Sequence, residues 1–233
     1  MKFSNCQKTK NYSWIFLLLI LVFSHDLMAG ITAGQVESVK GQASAQSPGE
    51  PVRTLEKGSE IFQDDIIRTE KASTVQLLFN DQTKFILGAD TELNITTFKY
   101  QDSTVDDKIS LKIIKGTFRF ITGLIAHEKP ESMEVNMAVA TIGIRGTHVI
   151  GEADETSATV ILAEPDDGQK KTSIEVSNQY GAVVIDEPGY GTEIPDQFSP
   201  PSPPQRMRLE TINNLMRSLQ NIQRINMPRP RMP

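Results

Sequence analysis

The residue with the clearest capacity for chemistry is Arg145, set in Ile142-Gly-Ile-Arg-Gly-Thr147. A guanidinium between a β-branched residue and a glycine needs either a paired acid or contact with water. Its planar fork suits a carboxylate or another anion. Two readings follow. In one, Arg145 with Thr147 and His148 presents a binding surface to an anionic ligand or partner carboxylate. In the other, the commoner outcome for a lone arginine in a strand, it closes an internal ion pair, and Arg145→Ala lowers the melting temperature.

Other chemistries have little to stand on. His127 and His148 are the histidines of the exported part, and neither has the short-spaced ligand set of a zinc site. The pairs Asp64-Asp65, Asp106-Asp107 and Asp166-Asp167 lack the alternating acids of a calcium loop. Asp166-Asp-Gly168 reads as turn chemistry, and Asp65 as an acid that caps a turn before Ile66. There is no Gly-x-Ser-x-Gly, no phosphate loop and no dinucleotide fingerprint. The single cysteine, Cys6, lies ahead of an apolar run, which leaves neither a disulfide nor a thiol nucleophile. No metal, cofactor or catalysis is expected; a cell-wall hydrolase with dispersed residues is the remaining enzymatic reading.

The elements that must hold Arg145 read as strands. Met133, Val135, Met137 and Val139 alternate with Glu134, Asn136 and Ala138, the mark of a strand with one buried face. Similar patterns appear at Val36–Val39, Ile66–Ile67, Val75–Phe79, Lys84–Leu87, Leu93–Ile95, Ala158–Leu162, Ile174–Val176 and Val183–Ile185. Asn80-Asp-Gln-Thr83 is a hairpin turn. Gln42–Gly49 reads as a small polar loop and Asp102–Lys108 as a charged one. Leu111–Ile121 is a long strand with a bulge at Gly116. No helical pattern lies between the strands. The fold class is therefore all-β: short antiparallel strands in a sandwich, roll or solenoid, with a C-terminal amphipathic helix.

The ends differ from this body. Lys2, Lys8 and Lys10 precede the apolar run Trp14–Phe23, and small residues follow at Ala29 and Gly30, which reads as a signal peptide over 1–29. The run is shorter than the roughly 20 residues of a membrane span. The β domain is expected over 30–194, a proline-rich stiff linker over 195–205, an amphipathic helix over 206–226 and a frayed tail over 227–233. The helix stripe is Met207, Leu209, Ile212, Leu215, Met216, Leu219, Ile222 and Ile225. Residues 31–204 hold fifteen basic and twenty-seven acidic side chains, whereas 205–233 hold six arginines and one acid. The tail, with Arg217 and Arg224 on its polar face, either folds back on the acidic body or engages an acidic partner.

Several segments, in this order, resemble the FecR-type domain, the periplasmic module of iron-dicitrate transmembrane regulators. They are Gly34–Gly41, Leu55–Thr69, the hairpin Ala72–Leu87, Ile114–Thr117 and the signature Val139–Val149, together covering about 34–150. Gln82 stands where the family has a glycine, and no proline precedes Thr141. The resemblance implies an all-β exported domain without known catalytic activity. It makes Gly58, Asp65, Gly116, Gly143 and Gly146 structural signature positions. Sensor members carry a cytoplasmic anti-sigma domain and a membrane helix upstream; a stand-alone exported member is expected here. The expected role is an interaction module in the periplasm of a Gram-negative bacterium, or secreted. It would bind an envelope protein or polymer, with membrane-surface contact by the tail helix as a further reading. An accessory component of a cell-surface signalling system, acting through a separate membrane regulator, is the alternative. No nucleic-acid partner and no membrane span after signal cleavage are expected.

Overall fold

A computed structural model describes residues 30–101, 106–146, 148–163 and 172–220. The signal segment, Thr147, the turn at Glu164–Gly168, Arg224 and the tail from residue 221 lie outside the described residues. In chain order the strands are β1 (Thr32–Lys40), β2 (Ala43–Gln46), β3 (Arg53–Thr54), β4 (Glu60–Phe62), β5 (Ile66–Thr69), β6 (Thr74–Phe79), β7 (Lys84–Leu87), β8 (Glu92–Lys99) and β9 (Lys108–Ile121). They continue as β10 (Met133–Asn136), β11 (Thr141–Arg145), β12 (His148–Ala153), β13 (Ala158–Ala163), β14 (Ser173–Asn178), β15 (Gly181–Ile185), β16 (Tyr190–Ile194) and β17 (Gln205–Arg206). Two short helices join them, α1 (Leu124–Glu128) and α2 (Leu209–Gln220), with a 3-10 turn at Pro130–Ser132.

The strands form two layers. Sheet A runs β4-β1-β6-β7-β9-β12-β13-β16-β17. Sheet B runs β3-β2-β5-β8-β9-β10-β11-β14-β15. Strand β9 belongs to both. Its first half pairs with β8 and β10, and its second half with β7 and β12. The change of sheet falls at Gly116, whose φ is +105°. A Cβ there would stand 2.2 Å from Thr91 Oγ1 and 2.5 Å from Thr91 Cα. Only glycine meets both demands, the left-handed backbone and the missing side chain.

Alternating apolar residues of both layers meet between the sheets. Phe79 of sheet A lies 5.7 Å from Phe98 of sheet B, centroid to centroid. Phe85 stacks on Phe120 at 5.2 Å, and Phe118 lies 6.2 and 6.3 Å from the two. These rings are fully buried, each contributing about 1.5–3 kcal/mol relative to exposure. Beside Phe85, Asp81 is buried in the turn between β6 and β7. Its carboxylate accepts the Thr83 N–H at 3.1 Å and the Thr83 hydroxyl at 2.7 Å.

Helix α2 covers the outer face of sheet A. Leu215, Leu219 and Met207 pack on Ile150 of β12 and Ile161 of β13 in a second apolar cluster. Of the apolar stripe read from the sequence, Met207, Leu215 and Leu219 are buried on the body, Ile212 and Met216 are partly buried, and Leu209 is exposed. Arg208 and Arg217 are exposed, and neither forms an ion pair among the described residues.

Four expectations need correction. Gln42–Gly49 is not all loop, because β2 pairs with β5 over Ala43–Gln46. The pairing is not wholly antiparallel, because β10 runs parallel to β9. The alternation of 133–139 is not one strand: β10 ends at Asn136, and the Met137 N–H donates to Ala140 O at 2.8 Å, turning the chain into β11 at Thr141. The helix starts at Leu209, not 206, because Gln205 and Arg206 pair with β16. The proline segment before it lies along β16, where Thr192 donates to Ser202 O at 2.8 Å.

Candidate functional site

Sheet B leaves its outer face open where β10, β11, β14 and β15 lie side by side. The register sets Glu134, Gly143, Glu175 and Val184 in one cross-strand row. Asn136, Thr141, Ser177 and Ala182 form the next. Arg145 pairs with Ser173 on the far side of the glutamate row. Residues alternate through the strands, so Ile142, Ile144, Ile174 and Val176 point inward and are buried. The polar residues point outward.

The result is a groove of about 590 Å³ whose walls include Pro130, Glu134, Arg145, Glu175 and Val184. Gly143 lies between the two glutamates. A Cβ on Gly143 would meet nothing closer than 3.8 Å, so sterics do not demand a glycine there; its effect is to lower the groove floor. Glu134 is tied down by the Ser110 hydroxyl at 2.9 Å and by Lys108 at 3.8 Å. Glu175 and Arg145 are exposed.

Arg145 forms no ion pair among the described residues. The guanidinium stands at the end of β11, at a position where the strand alternation turns it to solvent. Val184, 57% exposed, lies on the edge strand across β14 from β11, level with Glu175.

The other residues singled out in the sequence do not join this groove. His148 begins β12 in sheet A, between Ile121 and Ala163, and is buried. The chain leaves sheet B after Arg145 and enters sheet A at His148, turning at Gly146 with φ +57°. Arg145 and His148 thus face different sheets despite their proximity in sequence. Arg217 sits on α2 over sheet A. Gly58 lies in the turn before β4, with its N–H donating to Val36 O at 2.9 Å.

Asp65 is a structural anchor. Its carboxylate accepts from Phe62 N–H at 2.8 Å, from the Ser47 hydroxyl at 2.7 Å and from Arg53. Among the described residues, no group of three or more His, Cys, Asp or Glu side chains could hold a metal ion. No described helix is long and apolar enough to cross a membrane.

Sequence reasoning found Arg145 but missed Glu134, Glu175 and Val184. They become neighbours only through the pairings β10–β11–β14–β15, and nothing local marks those registers.

Fold and groove together define a two-sheet β scaffold with an open polar face. The family model described as FecR protein matches residues 65–166. Two crystal structures of a proposed anti-sigma factor from Parabacteroides distasonis ATCC 8503, at 1.65 and 2.50 Å resolution, are similar to this chain. Each is 12% identical with a TM-score of 0.49, over 65% of this chain and 64% of that one. The chain thus spans less than two thirds of their length. No curated protein matches the chain.

Proposed function

We propose that this protein is an exported, non-catalytic interaction module of FecR type, and that it binds a protein partner in the cell envelope through the outer groove of sheet B. The observation that carries this reading is Arg145: exposed, without an ion pair among the described residues, and lining a polar groove whose opposite side holds the apolar Val184. A sheet face that presents an exposed guanidinium and an exposed aliphatic offers a partner charge-assisted hydrogen bonds and an apolar anchor. No cofactor is required for recognition of this kind.

A photoreactive benzoylphenylalanine at Val184 tests the reading in cells. A discrete adduct that disappears in Arg145→Glu, and persists when the exposed Lys57 is reversed, supports it. Absence of any adduct from Val184 contradicts it. The FecR match favours a second reading, in which the partner is a membrane regulator and the module is an accessory of a cell-surface signalling system. The identity of the adduct separates the two: an inner-membrane regulator supports signalling, and an outer-membrane protein supports a structural role.

A further inference from the structure

The outer face of sheet A carries a feature that the groove of sheet B does not explain. Register sets Ile86, Arg119, Ile150, Ile161 and Gly191 in one cross-strand row. Helix α2 lies over this row, but it does not cover all of it. A half-open cleft of about 420 Å³ remains beside the first turns of the helix, with Ile150, Ile161, Met207 and Met216 among its walls. Among its described lining residues two are charged, Arg119 and Arg206, and none is acidic.

Methionine side chains reshape readily around an apolar guest. The volume falls within the range of small-molecule sites, which run from about 300 to 1,000 Å³. An aliphatic cleft rimmed by the exposed Arg206, with no carboxylate among its described lining residues, suits a ligand with an apolar chain and an anionic head.

We propose that the cleft beside α2 binds a single-chain anionic amphiphile of the fatty-acid class. Its chain lies between Ile150, Ile161 and Met216, and its carboxylate meets Arg206, with Arg119 adding positive charge from β9. Arg206 reaches the site because β17 pins it beside Tyr190. The cleft is separate from the Arg145 groove, on the other sheet.

Decanoate, used below its micellar range, is the probe. Titration calorimetry of the full chain should show saturable one-to-one binding. Decanol and decyltrimethylammonium should bind at least about tenfold more weakly, as should decanoate to Arg206→Ala, since each step removes a charge-assisted contact. Methyl resonances of Met207 and Met216 should shift on titration while those of the inner-core Met133 stay fixed, a readout that needs no variant. Ala163→Trp, which intrudes on the cleft, should abolish binding with an unchanged circular dichroism spectrum. Equal affinity for decanol and decanoate would overturn the proposal, as would the absence of saturable binding. Binding only to phosphatidylglycerol vesicles, with no methionine shift from free decanoate, would also overturn it and make α2 a membrane-docking helix.

Discussion

Arg53 grips Asp65 with both arms of its guanidinium. One arm donates to Oδ1 at 3.0 Å and the other to Oδ2. Asp65 is wholly buried, and the Arg53 side chain is 29% exposed. The same guanidinium lies 5.1 Å above the Phe62 ring. This pair ties β3 to the turn between β4 and β5, and it closes the end of the two layers farthest in sequence from the groove.

Removing Arg53 strands a buried carboxylate. Arg53→Ala should cost about 3 kcal/mol in urea denaturation, the low end for a broken buried pair because Arg53 keeps some contact with water. Replacing both partners together, as Arg53→Met with Asp65→Leu, should recover part of that loss. A cost under about 1 kcal/mol for Arg53→Ala would show that the pair behaves as a surface contact.

Gly116→Ala combines a left-handed backbone with a clash, and should destabilise by about 3 kcal/mol or more. Thr91→Ala should not rescue it, because the Thr91 Cα is itself 2.5 Å from the added carbon. Differential scanning calorimetry of the single and double variants reads both effects. A fully stable Gly116→Ala would mean that β9 does not pass between sheets at this residue.

Two aspartates set opposite pH dependences. Burial raises the Asp81 carboxyl above its ordinary 3.8, against the pull of its bonds from Thr83. The folded state therefore holds its proton more tightly, and stability falls as pH rises from 3.8 through the raised value. Asp154 is held down to about 2 by bonds from the Thr156 and Ser157 backbone and hydroxyls. Its contribution is complete above 3.8 and is lost as pH falls toward 2. Asp81→Asn should remove the gain on mild acidification, so that the stability difference between pH 7 and pH 4 becomes less favourable to the acid side than in the parent chain. Urea denaturation at both pH values checks this; an unchanged difference contradicts it.

The cover over sheet A is energetically part of the fold. Leu215→Ala should cost about 2–3 kcal/mol, since Leu215 is buried against Ile150 and Ile161. Arg217→Glu, on the exposed side of the same helix, should change stability by less than about 0.5 kcal/mol. A chain ending at Pro204 should aggregate and bind a hydrophobic dye, because it uncovers the row from Ile86 to Ile161. A soluble truncated body would contradict the covering role of α2.

The all-β class, the long β9 and the amphipathic helix are legible in the sequence because each rests on local periodicity. Phe118 and Phe120 alternate with Arg119, and Leu215 and Leu219 fall on one helical face. The turn at Met137–Ala140 is not legible: it contains no glycine or proline, and Met137 and Val139 keep the apolar alternation through the bend. The short strands β2, β3 and β4 are equally hidden, because they are recruited by partners and have too few residues for a pattern. At the candidate site, Arg145 stands out by its type alone. Its neighbours Glu134 and Glu175 depend on registers between distant segments, which periodicity does not encode.

The most direct test of the proposed binding face is Arg145→Ala measured two ways in one preparation. The account predicts a melting temperature within about 2 °C of the parent chain, together with loss of the envelope adduct captured from Val184. A large drop in melting temperature with the adduct retained would contradict it, and would return Arg145 to the interior of the fold's own electrostatics.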